Sequence, residues 1–449
     1  MLNKRVEYGA VLGVMLACGA LYGRTLAPSI SWRNGAIDSA ELAAAAVVGG
    51  IPHPPGYPTY MLVAQGWLAL APIDDPARAL NWLSLFCTTL TVGCYLLIVA
   101  QIGRNAPPHM YTRIIGAAAF ASAPLVWAHA TFTEVYALGL LLFSLTLFAS
   151  ITDRQWVAGL LSGLNAGVFP LAALLGLLLV KPRLRQLLMF ASGLFIGLLP
   201  FLYLPVRAAQ LPFLNWGNPA TWEQFLWLVR GQQYSHLFEV AQLADWFEAL
   251  AQLDVNMHWV GWVIALIGVR HIRFSTFVVA TVLLSLLWVA SYDVRDNSTY
   301  LLPAIFVMAL AVPFGINQLL TQRTRPTVLA VLMVLLIVRI VGLYPHMNLQ
   351  HDRQAIEFAH MTLASVSSDA VIITKEDKTT FALWYSQTQG VRRDVLTVDE
   401  RLLQFEWHQH HLAAQAGVSA DLLRPGHLLQ LNRPIYVIDG ETHQLNKYD

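Results

Sequence analysis

Acidic residues are scarce in the first 180 positions of this chain, where only Glu7, Asp38, Glu41, Asp74, Asp75, Glu134 and Asp153 occur. Asp38 and Glu41 stand three residues apart in IDSAELAAAAVVGGIPHPPGYP, a spacing that puts both carboxylates on one face at the start of a helix. Asp38 or Ser39 suits the N-cap of that helix. The plain structural reading is a capped interfacial helix whose acids favour the positive helix end. The residues after the helix favour chemistry: Gly49 and Gly50 stop it, and Pro52, Pro54, Pro55 and Pro58 force a stiff turn that fixes His53 and Tyr57 relative to the acids. Two carboxylates, an imidazole and a phenol held on a rigid loop are the parts of a general acid or base site.

Further candidates lie downstream. Glu134, in ATFTEVYAL, falls at the junction of two apolar runs, where an acid beside hydrocarbon is costly unless paired or wet. Arg207 follows LPV, and Arg295 and Asp296 lie in SYDVRDNSTYLLP; both arginines sit where a lipid phosphate is within reach, although interfacial arginines also anchor helices. Arg339 lies in the last apolar run, near enough to its end to snorkel. His408, His410 and His411 in WHQHHL have poor metal-ligand spacing, with no matching fourth ligand. Cys18, Cys87 and Cys94 lie in apolar segments and read as small core residues.

The elements that must position these residues are set by composition. Of 449 residues, 56% are hydrophobic and 12% charged, against about 25% charged in an average soluble domain. Runs at 80–103, 114–130, 187–206, 275–291 and 327–345 carry almost no charge over about one bilayer thickness, and in lipid such backbones must be helical. The net charge of +1 gives no reason to invoke nucleic acid.

Basic residues recur at Lys4 and Arg5, Arg104 and Arg113, Arg154, 181–185, 270–273, and Arg323 and Arg325. Placing all of them on the cytoplasmic side requires about eleven spans: near 9–28, 80–103, 114–131, 135–151, a tight pair within 155–180, 187–206, 256–269, 274–291, 300–320 and 327–345. The N-terminus is then cytoplasmic, in an uncleaved first span. Segments 29–79 and 207–255 and the tail become extracytoplasmic. The apolar stretch 59–71 is too short to cross and fits a helix lying in the interface. Gly159, Gly163 and Gly167 repeat at four-residue spacing, a face for close helix contact.

Residues 1–345 thus read as a transmembrane domain, and 346–449 as a small extracytoplasmic α/β domain with strands at 369–374, 394–398 and 435–438 and a helix at 379–389. The tail has no glycine-rich phosphate loop.

The segment DSAELAAAAVVGGIPHPPGYPTY resembles the first loop of a bacterial-type family of multi-spanning proteins related to the protein O-mannosyltransferases. TFTEVYAL at 131–138, WGNPATWEQFLWLVRGQQY at 216–234, DVRDNSTYLLP at 293–303 and TTFALWYSQTQGVRRDVLTVD at 379–399 extend the match to the tail. The resemblance implies a GT-C glycosyltransferase architecture in the bacterial inner (plasma) membrane. A polyprenyl-phosphate-linked sugar would be the donor, membrane lipids would surround the protein, and a protein, glycan or lipid hydroxyl would be the acceptor. Asp38 would be the inverting general base, Glu41 and Glu134 would orient it or the acceptor, and His53, Tyr57, Arg207, Arg295 and Asp296 would line the donor and phosphate site. It implies no required cofactor, although two or three carboxylates are also the ligand type of a divalent cation. One departure is Asn165-Ala166, where related sequences carry an Asn-His pair. The rival reading is a transporter or flippase of lipid-linked or polar solutes, against which the acids cluster outside the membrane and no repeat relates the two halves.

Overall fold

The computed structural model describes residues 4–104, 107–321, 323–424, 427–440 and 442–448. Side chains 4–6 are outside that set, so the expected orienting pair Lys4 and Arg5 lies outside the described residues. The protein is mostly helical. Five helices are long and apolar enough to cross a membrane: Pro76–Val99, Leu184–Ala208, Leu243–Val269, Asn297–Leu319 and Arg325–Met347. Shorter apolar helices occur at Val135–Ile151, Pro170–Leu179 and Ser275–Ser291. Asn297–Leu319 is the central one, 94% of its apolar window being buried, and Arg325–Met347 lies on the outside with 6% buried.

Several expected crossings take a different form, each for a local reason. The run 114–131 is divided into Met110–Ala121 and Pro124–His129, because Pro124 has no N–H to continue the first helix and suits the first turn of the second. The expected 256–269 crossing is the later part of Leu243–Val269, which breaks at His258 (φ 58°, ψ 143°). The break leaves the carbonyls of Val255 and Asn256 short of helical partners, and Arg339 donates to both, at 3.5 and 2.5 Å. Arg339 therefore staples a helix kink. The tight pair within 155–180 forms two short helices, Gln155–Ala166 and Pro170–Gly176.

Glycine permits one especially close helix contact. A Cβ on Gly159 would overlap the Phe190 carbonyl, and one on Gly163 the Leu194 carbonyl; from the other side, Gly193 and Gly197 meet the carbonyls of Trp156 and Leu160. Four glycines thus let Gln155–Ala166 and Leu184–Gly197 touch backbone to backbone. Gly167 serves another neighbour, accepting at its carbonyl from Thr59 N and Tyr60 N at 3.1 and 3.4 Å. Those are orphan donors in the first turn of helix Pro58–Leu70. With 13 residues, that helix is about 20 Å long, short of the roughly 30 Å of a bilayer core.

The tail contains β1 Val371–Thr374, β2 Leu396–Asp399, β3 Ile435–Ile438 and β4 Leu445–Tyr448 in the order β2-β1-β3-β4. β1 is parallel to both β2 and β3, whereas the edge strand β4 runs antiparallel to β3. Helix Asp377–Thr388 lies against helix Ser39–Val48 and against the 3-10 turn Arg33–Asp38. The tail therefore packs directly on the loop that carries Asp38.

Substituting Gly159→Ala is expected to lower the apparent melting temperature in detergent, by a destabilisation of about 1–3 kcal/mol. Gly342→Ala, in a helix with no atom within 4 Å of the added carbon, should be neutral or stabilising by up to about 1 kcal/mol. Equal melting of both variants would contradict the close glycine contact.

Candidate active site

The chain reaches Asp38 through a sharp bend. Asn34 and Gly35 adopt positive φ (57° and 85°), conformations that Asn and Gly tolerate. Polar contacts hold the bend: Arg33 and Asn34 donate to the carbonyls of His346 and Asn348, Ser31 Oγ donates to Asp352 at 2.5 Å, and Trp32 Nε1 donates to the Lys378 carbonyl at 3.0 Å. Helix Ser39–Val48 comes next. Its run of alanines lets it be buried along almost its whole length.

Asp38 stands in the N-cap position of that helix, but its side chain makes no capping hydrogen bond, so the helix end does not occupy the carboxylate. Glu41, one turn further on, is fully buried. Both of its oxygens are taken by His53: Oε1 accepts from the His53 backbone N–H at 2.9 Å, and Oε2 pairs with ring Nδ1. The proline-rich turn makes this geometry rigid. Ile51 N–H donates to Leu214 O at 2.8 Å, Trp216 N–H donates back to Ile51 O at 3.2 Å, and Gly56 (φ 83°) and Tyr57 (φ 40°) turn the chain into the next helix.

With Nδ1 on Glu41, the other ring nitrogen of His53 faces Asp38 Oδ2 at 3.8 Å and the Tyr57 hydroxyl at 3.2 Å. Burial works against a charged imidazole, but Glu41 and then Asp38 outweigh it and raise the His53 pKa to about 10. Asp38 is also raised, to about 7, chiefly by desolvation, with His53 opposing and Asp296, Glu41 and Asp377 adding to the rise. Its side chain keeps 31% of its surface accessible, so the carboxylate is crowded by its neighbours without being sealed off. Glu134, 4% exposed, caps helix Val135–Ile151 through Val135 N–H at 3.1 Å. Burial, then the charges of Asp38 and Asp296, push its pKa well above the usual carboxylate range.

Of the residues expected at this site, Asp38, Glu41, His53, Tyr57, Glu134 and Asp296 form one electrostatic cluster. The structure does not bring Arg207 to it. Arg207 donates to the carbonyls of Val48 and Gly49, closing the C-terminal end of the helix that starts after Asp38, about 15 Å along its axis. Arg295 is exposed and makes no hydrogen bond or ion pair among the described residues. His53 is committed to Glu41 and Asp38, a different use from a simple phosphate clamp.

Three contributors have no role readable from the linear sequence, although Trp216 and Tyr234 stand at the two ends of the segment 216–234. The Trp216 ring lies 6.3 Å from that of His53. Tyr234 and Asp377 are close enough for their charges to couple to Asp38. Trp216 and Tyr234 belong to the second long loop and Asp377 to the tail, and only the fold brings them here. Among the described residues, no group of three or more His, Cys, Asp or Glu side chains could hold a metal ion. His411 Nε2 instead meets the Phe213 carbonyl at 2.8 Å, and His408 is buried.

Residues 38–197 match the family described as the protein O-mannosyl-transferase TMEM260 N-terminal domain, and 355–424 match TMEM260-associated domain 2. The protein O-mannosyl-transferase TMEM260 of Mus musculus is 26% identical over 432 residues, covering 84% of this chain. The chain spans 61% of the length of that relative. Among solved structures, ArnT from Cupriavidus metallidurans bound to undecaprenyl phosphate superposes with a TM-score of 0.57 at 12% identity, covering 89% of this chain and 90% of that one. Its apo form gives 0.57 at 11% identity, covering 89% and 91%. These structural likenesses concern the fold. The chain thus carries two domains of a family related to the protein O-mannosyltransferases, its fold is that of ArnT, and its long apolar helices are those of an integral membrane protein.

Proposed function

We propose that the protein is an inverting glycosyltransferase that moves a sugar from a polyprenyl-phosphate donor to an acceptor hydroxyl at the extracytoplasmic face of a bacterial inner membrane. The observation that carries this reading is the uncapped, partly open carboxylate of Asp38, held beside an imidazole that Glu41 fixes in its charged form. The chain would cross the membrane about eleven times, with the N-terminus inside and residues 346–449 outside as an α/β domain. A lipid-linked donor already lies at that interface and needs no nucleotide pocket.

In the reaction, the acceptor oxygen attacks the anomeric carbon from the face opposite the phosphate. The new C–O bond forms as the bond to the phosphate oxygen breaks, and the electron pair leaves with the polyprenyl phosphate. The acceptor proton passes to Asp38, and the anomeric configuration inverts. A base with a pKa of about 7 is well matched to accept a proton near neutrality and release it to water. Glu134, buried beside Asp38, would orient the acceptor or the base. Positive charge beside the departing phosphate lowers the barrier; of the three expected cations, Arg295 has uncommitted donors, Arg207 is engaged with a helix end, and the charge of His53 acts on Asp38. Tyr57 and Asp296 belong to the same cluster and would complete the donor site. The acceptor is a hydroxyl of a protein, a glycan or a lipid.

Purified protein supplied with a labelled polyprenyl-phosphate mannose should transfer the sugar, and Asp38→Asn should lower kcat about 10²- to 10⁴-fold while melting as the native protein does. Native-like transfer by Asp38→Asn would remove Asp38 as the base.

The pH dependence carries its own test. Asp38 works deprotonated, so the rate should fall as pH drops through about 7. His53 lowers the Asp38 pKa, so removing its charge in His53→Gln should move this acidic limb to higher pH. A limb that stays in place in His53→Gln would show that the imidazole does not tune the base.

A further inference from the structure

The tail reaches the proposed site with a charge pair of its own. Helix Asp377–Thr388 packs on helix Ser39–Val48, and the two run in the same direction. At their far ends Val48, Gln387 and Thr388 border one cavity. At their near ends Trp32, in the bend before Asp38, donates to the Lys378 carbonyl at 3.0 Å. Asp377, the first residue of the tail helix, therefore stands beside Asp38, from which the neighbouring helix starts. Packed helix axes lie about 8–10 Å apart, a separation over which one carboxylate acts on another. Strand order has the same result: Asp377 follows β1 and Arg401 follows β2, so both lie at the carboxyl edge of the parallel strands, where open α/β sheets meet their ligands.

Asp377 does not stand there alone. Its Oδ1 accepts from Arg401 Nη2 at 2.6 Å. Arg401 is anchored in turn by Asp399, the buried last residue of β2. Asp399 Oδ1 accepts from the Arg401 backbone N–H and Nε at 3.0 and 3.1 Å, and Oδ2 accepts from Nη2 at 2.7 Å. This two-pronged pairing with one buried carboxylate fixes the guanidinium, and through it Asp377. Burial works against the charge of Arg401, but Asp399 and Asp377 outweigh it and raise its pKa.

The neighbouring charges have other partners or come from the site itself. Asp38 and Glu41 face the pair from the loop and helix beneath it, Glu41 being bound to His53, while Arg33 is turned to the carbonyls of His346 and Asn348. Asp296 and Tyr234 come from two further loops. On the tail, Glu376 pairs with Lys378 at 3.1 Å and with His443 at 3.6 Å, and Lys375 pairs with Glu400 at 3.7 Å. Helix Gln354–Ser365, which also packs on the tail helix, carries Glu357 and His360 on its exposed surface. Besides burial, the largest cause in each case, Asp377 raises the pKa of Asp38, Asp296 and Tyr234 alike.

We propose that Arg401 is a positioning residue for the proposed base: it fixes the tail's Asp377 carboxylate beside Asp38 and offsets its charge, so that the tail is part of the site's charge balance. This rests on the reading of Asp38 as the base; the placement of the pair does not.

The test is infrared titration of the Asp38 carboxyl in the full chain in nanodiscs, each spectrum taken against Asp38→Asn in the same background, with the acidic limb of sugar transfer as a second readout. Asp377→Asn removes a negative charge and should move the midpoint to lower pH by about half a unit; Arg401→Gln removes a positive one and should move it to higher pH by a similar amount. Arg401→Lys keeps the charge and should stay nearer the native midpoint than Arg401→Gln. A merely structural contact would not shift a titration in opposite directions. If Arg401→Gln fails to fold because buried Asp399 has lost its partner, Asp377→Asn, which leaves the Arg401–Asp399 pair intact, decides alone. The proposal is overturned by a midpoint that Asp377→Asn leaves unmoved or raises, or by a folded Arg401→Gln that leaves it unmoved or lowers it. Both shifts in a protein that transfers no sugar would overturn the transferase reading and leave the charge pair standing; sugar transfer without the shifts would do the reverse.

Discussion

The pairing of Glu41 with His53 is the contact on which the rest of the site depends. A carboxylate with no solvent exposure is tolerated inside a protein only when it is paired and hydrogen-bonded, and breaking such a buried pair by removing one partner typically costs about 3–5 kcal/mol. Here both oxygens go to one residue, its backbone N–H and its ring. The helix that carries Glu41 and the turn that carries His53 therefore cannot move independently. The same pairing turns the second ring nitrogen towards Asp38, so a structural demand sets the electrostatics of the residue one turn away.

That arrangement needs supports reaching across the chain. Gly49 leaves room for the Arg207 guanidinium that closes the helix end, since a Cβ there would collide with it. Gly167, from the short hairpin, satisfies the first turn of the helix after the proline loop. The Tyr385 hydroxyl donates to Asp75 Oδ1 at 3.1 Å, and Trp32 reaches the Lys378 carbonyl, tying the tail to the same loop. Lipid forces the apolar segments into helices, but it does not fix how these loops lie over them. Polar contacts from three separate parts of the sequence do that.

The membrane character, most apolar helices and the acid pair at 38 and 41 are legible in the sequence, because composition, apolar run length and three-residue spacing are local properties. The breaks at Pro124 and His258 are harder to read. Proline gives a local warning, but His258 has no residue-type signature and is stabilised by Arg339 from a distant helix. The phosphate role expected of Arg207 rests on its interfacial position, and nothing in the linear sequence indicates that two helix-end carbonyls occupy its donors. The roles of Trp216, Tyr234 and Asp377 are invisible for the related reason that their value at the site comes from tertiary packing. The strands at 371–374, 396–399 and 435–438 coincide with short apolar runs, whereas β4, LNKY, is a polar edge strand without that pattern.

The most direct measurement is a titration of the Asp38 carboxyl itself, by infrared difference spectroscopy of the native protein against Asp38→Asn. A carboxyl that gains its proton near pH 7 is the result predicted by desolvation balanced against the fixed imidazolium. A carboxyl that titrates near its ordinary value of 3.8 would mean that water screens Asp38 from its surroundings, and would contradict its role as a base tuned by the Glu41–His53 pair.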